Sequence, residues 1–343
     1  MELNILHRIQ HSLLEKRRNV TEWLETSPEP VIECCLPGEA EQLVKEHLQV
    51  IDETLAKVEN ETLGVCEVCK GQVDDSILGI DYTAAICLDH FSDQERRNLE
   101  TELEFSVVVQ RALLPQGAPS IPGLDVAAFS RPAQIIGGDY FDFFQFRNGT
   151  HGLVIADVMG HGISASLLMS SLQTALHTLI PDNDSASNVI QRVNRYYLHN
   201  INLTTFVTVF LGQYDPARHV LTYCNAGHNP PLFYRKEDKG KDPIRWLKPT
   251  GAAIGLVEEY KLRSEEIMLQ EGDVVVLYTD GLSEATNPGK EELGKDRLAQ
   301  LVVQSAHLSA QDMVSALRKG LADFIGASSL ADDVTVVVCK VPG

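Results

Sequence analysis

Hydrophobic residues in the first sixty positions recur at helical intervals. Leu6, Ile9, Leu13 and Val20 keep a seven-residue rhythm, and Val44, Leu48, Ile51, Leu55 and Val58 keep a second one. Between the two, "SPEPVIECCLPGEAE" carries three prolines and a glycine. That spacing predicts two helices folded back as an antiparallel hairpin, or two ordinary amphipathic helices of a bundle. A third helix is predicted through "QERRNLETELEFSVVVQRALL", opened by Ser92 and Glu95 at capping-box spacing and stopped by Pro115. Its leucines at 99, 103 and 114 leave an incomplete seam, interrupted by Ser106 and Gln110, which suits a weak or switchable dimer better than a permanent coiled coil.

Beyond the turn-rich "PQGAPSIPGLDV" the texture changes to short β-rich runs. Among them are "HGLVIA", "TTFVTVFLGQY", "HVLTYCNAG", "DVVVLYT" and "DVTVVVCKV". They alternate with helical patterns near residues 163–180, 185–200 and 309–325. The chain therefore divides into a helical module over 1–91, a linker helix over 92–116 and a mixed α and β domain over 117–343.

Composition narrows the function classes. The 343 residues are 44% hydrophobic and 22% charged, ordinary for a globular chain. A net charge of -19 argues against direct nucleic-acid binding, which needs a surplus of Lys and Arg. No run approaches the roughly 20 apolar residues that span a bilayer, so no membrane role is expected. The charged N-terminus lacks the form of a signal peptide, and the cysteine usage fits a reducing compartment, so a cytoplasmic location is expected.

Three of the seven cysteines stand in a metal-ligand pattern. Cys66-x-x-Cys69 is followed after 17 residues by Cys87-x-x-His90. Two short knuckles, each giving a pair of ligands, complete a tetrahedron for Zn²⁺ and leave no open position, so the zinc is expected to be structural. A metal-free thiol switch is the other reading of the same residues. Cys34, Cys35, Cys224 and Cys339 have no evident partners and read as plain thiols.

Acidic residues in the C-terminal domain fall at strand ends or turns: Asp139 in "IIGGDYFDFF", Asp157 in "VIADVMGHG", Asp280 in "VVLYTDGLSEA", and Asp332 and Asp333 in "SLADDVTVVV". Any one of them is better read as a turn or cap. Strand ends far apart in sequence converge in space, however, and a cluster of bare carboxylates repels itself unless a hard divalent cation relieves it. His161, between two glycines beside Asp157, reads either as a turn residue or as an acid or orienter of a metal-held water. His228, in "NAGHNPP", reads as a turn residue.

Two family resemblances follow from these pieces. Residues 1–91 resemble the DksA/TraR zinc-finger family in the hairpin, in the helix "IDETLAKVENETLGVCEVCKG" and in the spacing to "CLDH". The hairpin tip, "EPVIECCLPGEAE", lacks that family's Asp-x-x-Asp-x-Ala pattern, which keeps the scaffold and removes the support for polymerase control. Residues 101–339 resemble the SpoIIE/RsbU-type serine phosphatases, related to protein phosphatase 2C. The matching pieces occur in family order, among them "ELEFSVVVQRALLP", "GLVIADVMGHGISASLLMS", "NAGHNPPLFY", "GDVVVLYTDGLSEA" and "DDVTVVV".

The second resemblance implies an α+β fold, an α/β/β/α sandwich with a binuclear Mn²⁺ or Mg²⁺ site at one edge. It implies that Asp157 bridges both metals and that the carbonyl of Val158 contributes to one. Asp280 and Asp332 would hold the other, Asp139 would lie in or just behind the ligand set, and Asp333 is the alternative to Asp332. The implied reaction is hydrolysis of a phosphorylated STAS-type anti-anti-sigma protein by a metal-activated water, with Asp157 and His161 as the catalytic candidates. The N-terminal zinc module would regulate it, and the linker helix would pair two copies of the chain. The competing reading is a DksA/TraR-like RNA polymerase-binding regulator with the phosphatase fold as an appendage.

Overall fold

A computed structural model of the chain describes residues 9–10, 13–14, 17–18, 21, 39–60, 62–73, 78, 85–90, 92–160, 162–200, 206–236, 243–257 and 262–343. The chain forms two compact units, one of residues 1–105 with 198–204 and one of residues 106–197 with 205–343.

In the first unit the described positions between Ile9 and Thr21 are helical, and α1 spans Glu39–Glu59. Leu13, Ile51 and Leu55 pack together with Ile9 alongside, and Arg17 pairs with Asp52 at 2.5 Å. These are positions of the two heptad rhythms, so the apolar stripe of each helix is what meets the other. The turn predicted to join them, with Cys34 and Cys35, lies outside the described residues. A second small core gathers Cys66, Val73, Leu78 and Cys87. Helix α2, Asp93–Leu113, starts one residue after Ser92 and ends two before Pro115.

The second unit holds two five-stranded antiparallel sheets. One has the order β1-β10-β9-β6-β7, from Asp125–Arg131, Val334–Lys340, Val274–Tyr278, Leu232–Tyr234 and Ile244–Trp246. The other has the order β2-β3-β4-β5-β8, from Tyr140–Gln145, His151–Val158, Val207–Asp215, Val220–Ala226 and Glu265–Met268. Phe141, Leu153, Ile155, Phe210 and Tyr223 of the second sheet meet Val275, Leu277 and Val337 of the first in one core. The other faces are covered too. Helix α3 (Gly162–Leu179) packs on β2 and β3, and α4 (Ala186–Asn200) meets α3 where the Tyr197 hydroxyl donates to the Leu168 carbonyl at 2.8 Å. Helices α6 (Gly294–Ser305) and α7 (Ala310–Ile325) pack on Val274, Val276, Tyr278, Val336 and Val338. Burial of both faces explains why β9 and β10 read as unbroken apolar runs rather than alternating ones.

Three features depart from the sequence expectations. Helix α6 was not among the predicted helices; it buries only Leu298, Val302 and Ser305, too sparse a stripe to stand out. Strands β6, β7 and β8 have three or four residues each, too few to carry a period. The segment Gly162–Asp182 is, contrary to expectation, long and apolar enough to cross a membrane. Its Ala165, Met169, Leu172 and Leu176 are buried against the fold, while Ile163 and Leu167 are exposed, so the helix buries one face.

Candidate active site

Strand pairing brings the predicted acids to one end of the sandwich. Tyr140 stands opposite Ala156 in the β2–β3 register, so Asp139, just before β2, lies beside Asp157, still within β3. On the facing sheet Tyr278 stands opposite Val336, so Asp280 follows the end of β9 where Asp332 and Asp333 precede β10. Asp139 and Asp333 are buried, Asp157 and Asp280 half-buried, and Asp332 exposed. A short helix, α5, begins at Asp280 and runs to Ser283.

The two adjacent aspartates differ in their bonding. Asp333 accepts from the amides of Ala133 (2.8 Å) and Gly138 (2.7 Å), clasping the loop that leads into Asp139. Asp332 accepts from the Asp333 amide with Oδ1 at 2.8 Å, and the residue is exposed. Gly137 and Gly138 are what permits this packing. A Cβ at Gly137 would lie 2.2 Å from Asp333 Oδ2, and one at Gly138 would lie 3.1 Å from the Val158 carbonyl oxygen. That carbonyl is therefore held against the same loop as the acids. Gly160 and Gly162 have φ values of 101° and 75°, a left-handed turn that bulkier residues resist. His161 lies outside the described residues.

Supporting groups escaped the sequence reading. Thr279, fully buried, donates to Asp139 Oδ2 at 2.8 Å and accepts from the Thr335 amide at 2.9 Å, tying the two sheets together at the site. Gln110 of α2 makes a reciprocal pair with Gly137, donating to its carbonyl at 2.7 Å and accepting from its amide at 3.1 Å. A Thr after an apolar strand and a Gln in a helix carry no pattern of their own, and only the long-range contacts mark them out.

The electrostatics are those of crowded like charges. Burial first, then the charge of Asp333 and Asp332, pushes Asp139 well above the usual carboxylate range. Asp157 is pushed well up by burial and by Asp139, Asp280, Asp332 and Asp333 together. Asp280 is raised by burial and by Asp333, against two backbone amides that favour its charged form. An all-oxygen donor set that repels itself fits a hard divalent cation of the Mg²⁺ or Mn²⁺ type. Cys224 is raised by burial, and Cys339 is pushed up by burial to about 12, so neither thiol is a ready nucleophile.

In the first unit the ligand atoms of Cys66, Cys69, Cys87 and His90 all lie within 4.8 Å of one another. The Sγ atoms of Cys69 and Cys87 are 3.7 Å apart. Ligands about 2.3 Å from a tetrahedral zinc stand about 3.8 Å from each other, so the set fits that ion. Gly71 donates to Cys69 Sγ at 3.3 Å, as a knuckle turn requires. Burial acts to raise the Cys66 thiol, and amides of Cys69, Cys87 and Val68 outweigh it, bringing it down to about 6.

Known proteins match this picture in the second unit. The Stage II sporulation protein E (SpoIIE) family matches residues 147–342. The phosphoserine phosphatase RsbU of Bacillus subtilis is 31% identical over 249 residues, 71% of each chain. The phosphoserine phosphatase RsbP of the same organism is 28% identical over 198 residues, 56% of this chain and 48% of its own. Among solved structures, the SiaA-PP2C domain of Pseudomonas aeruginosa superposes with a TM-score of 0.62 at 21% identity, over 71% of this chain and 98% of that one. The sandwich is thus the PP2C-like fold expected from the sequence, and with two named phosphoserine phosphatases among its relatives this chain belongs to the SpoIIE family as a protein serine phosphatase.

Proposed function

We propose that the chain hydrolyses phosphoserine or phosphothreonine in a phosphorylated STAS-domain protein, using two divalent cations held at the sandwich edge. Asp139, Asp157, Asp280 and Asp332, with the Val158 carbonyl, would hold them, and Asp333 would act as the clasp of the 133–138 loop rather than as a ligand. The observation that carries this reading is the mutual charge of the acids: four other aspartates act on Asp157. When bound, Mn²⁺ or Mg²⁺ supplies Lewis-acid neutralisation of phosphoryl charge and an acidified water. The chain's own groups hold the acceptors in place. Thr279 orients Asp139 by a hydrogen bond to Oδ2, and the Ala133 and Gly138 amides hold Asp333. No protein nucleophile is required.

The Cys66, Cys69, Cys87 and His90 set is proposed to hold a structural Zn²⁺ in a module that regulates the phosphatase. Phe105, Val108 and Val109 expose an apolar face on α2, 67%, 60% and 43% exposed, which supports pairing of two copies through that helix. The STAS partner rests on the RsbU-type resemblance.

The test is release of phosphate from a phosphoserine STAS protein with Mn²⁺. Asp157→Asn, Asp280→Asn and Asp332→Asn are each expected to lose at least about a hundredfold, several kcal/mol of charge stabilisation. Asp333→Asn keeps an acceptor for one amide and should lose less. Full activity in Asp157→Asn and Asp280→Asn would overturn the assignment.

A further inference from the structure

His228 sits in a turn, yet its ring is 2% exposed and turned inward. The turn holds a hydrogen bond that does not involve the ring. The His228 amide donates to Asn225 Oδ1 at 2.8 Å, and Gly227 has φ 70°, with the Ala253 amide nitrogen 2.9 Å from where a Cβ would stand. The imidazole therefore answers to something other than turn formation.

Its surroundings are the roots of the acid cluster. Leu153 and Ile155 of β3 point into the core between the sheets, and Asp157 is next on the same face. On β4 Phe210 points the same way, and Thr208 follows it, opposite Asp157 in the register. The Thr208 hydroxyl lies 2.9 Å from His228 Nδ1 and 3.4 Å from the Asp157 carbonyl oxygen. On its other side the ring faces the main chain of Tyr278, two residues before Asp280, with Nε2 buried there short of full hydrogen-bond geometry. The side chain thus reaches the Asp157 strand through Thr208 of β4, and meets β9 directly at Tyr278. Burial brings the ring down to about 4, so it is uncharged near neutral pH. A buried, partly unsatisfied imidazole costs stability in a core otherwise built of Leu, Ile, Val and Phe.

We propose that His228 is a positioning residue for the phosphatase reaction: with Thr208 it forms a polar floor beneath the acids and sets the spacing between the Asp157 and Asp280 strand ends. The proposal rests on the metal-centre reading given above. Groups behind a metal's ligands commonly govern its affinity by about ten- to a hundredfold.

The experiment compares the full-length chain with His228→Phe, Thr208→Val, the double variant and His228→Gln. Calorimetry measures Mn²⁺ binding, a titration measures the Mn²⁺ needed for half-maximal activity, and melting follows the fold. Each of the first two variants is expected to weaken Mn²⁺ binding about tenfold or more, the double no further than the weaker single. His228→Gln, which keeps a hydrogen-bonding group for Thr208, should recover part of the loss. Mn²⁺ binding within about twofold of the unaltered chain in Thr208→Val, or losses that simply add in the double variant, overturns the floor. Should His228→Phe fail to fold, Thr208→Val decides alone. An unaltered chain that hydrolyses its substrate and binds no Mn²⁺ overturns the metal-centre reading, and the proposal with it.

Discussion

At the scale of single residues, the site depends on what is small as much as on what is charged. Gly137 has an ordinary backbone conformation, so its role is space. A methyl group there would stand 2.2 Å from Asp333 Oδ2 and drive that carboxylate off the Ala133 and Gly138 amides. Gly137→Ala is therefore expected to cost about 1–3 kcal/mol of stability through overpacking and broken hydrogen bonds, and to lower phosphate release. Denaturant unfolding alongside the assay checks this; a variant as stable as the parent would show that the loop accommodates the methyl. The "IIGGDYFDFF" motif pointed to Asp139, whereas the reason for its glycines became visible only with Asp333 and Val158 beside them. Asp332 and Asp333 were interchangeable as a sequence pair. Their bonding separates them, because one faces solvent and the other is committed to two amides some 200 residues away in the chain.

At the scale of elements, the knuckles and strand ends show why some features were legible. The pattern Cys66-x-x-Cys69 and Cys87-x-x-His90 is local to each knuckle, and the structure brings all four ligand atoms together. Cys66, Val73, Leu78 and Cys87 form one small buried cluster there, with Ile9 packed beside it. A bound zinc would add folding free energy to that cluster. Cys66→Ser with Cys69→Ser is expected to abolish stoichiometric zinc, read by metal analysis after mild chelation, and to leave the knuckles open to protease. Absence of zinc from the unaltered chain would favour the thiol switch instead. Strands β6, β7 and β8 and helix α6 were not legible, since a strand of three or four residues is defined by its neighbours rather than by its own alternation.

At the scale of the whole molecule, the two sheets hold a store of repulsion at one edge, and its pH dependence has a definite sign. Asp139, Asp157 and Asp280 are raised above the usual carboxylate value near 4. Without metal the folded chain then binds more protons than the unfolded chain in that range. Their contribution to stability is fully present below about pH 4 and is lost as pH rises through the raised values. Relative to an Asp157→Asn, Asp280→Asn double variant, the metal-free chain should melt at progressively lower temperature as pH rises above about 4. Mn²⁺ should reverse the loss more strongly at the higher pH and release protons on binding, as calorimetry in buffers of different ionisation heat would register. A melting difference independent of pH would mean that the acids are ionised without strain. By itself the sequence determined the two heptad helices, the zinc-ligand spacing and the aspartates at strand ends, because each is written within a few residues of chain or within one helical period. Only the tertiary structure decided which sheet each strand joins, that Asp333 clasps a loop while Asp332 faces water, and that Gln110, Thr279, Thr208 and His228 stand behind the acids. Those relations are contacts between residues far apart in the chain, and no local pattern encodes a partner that folding alone brings near.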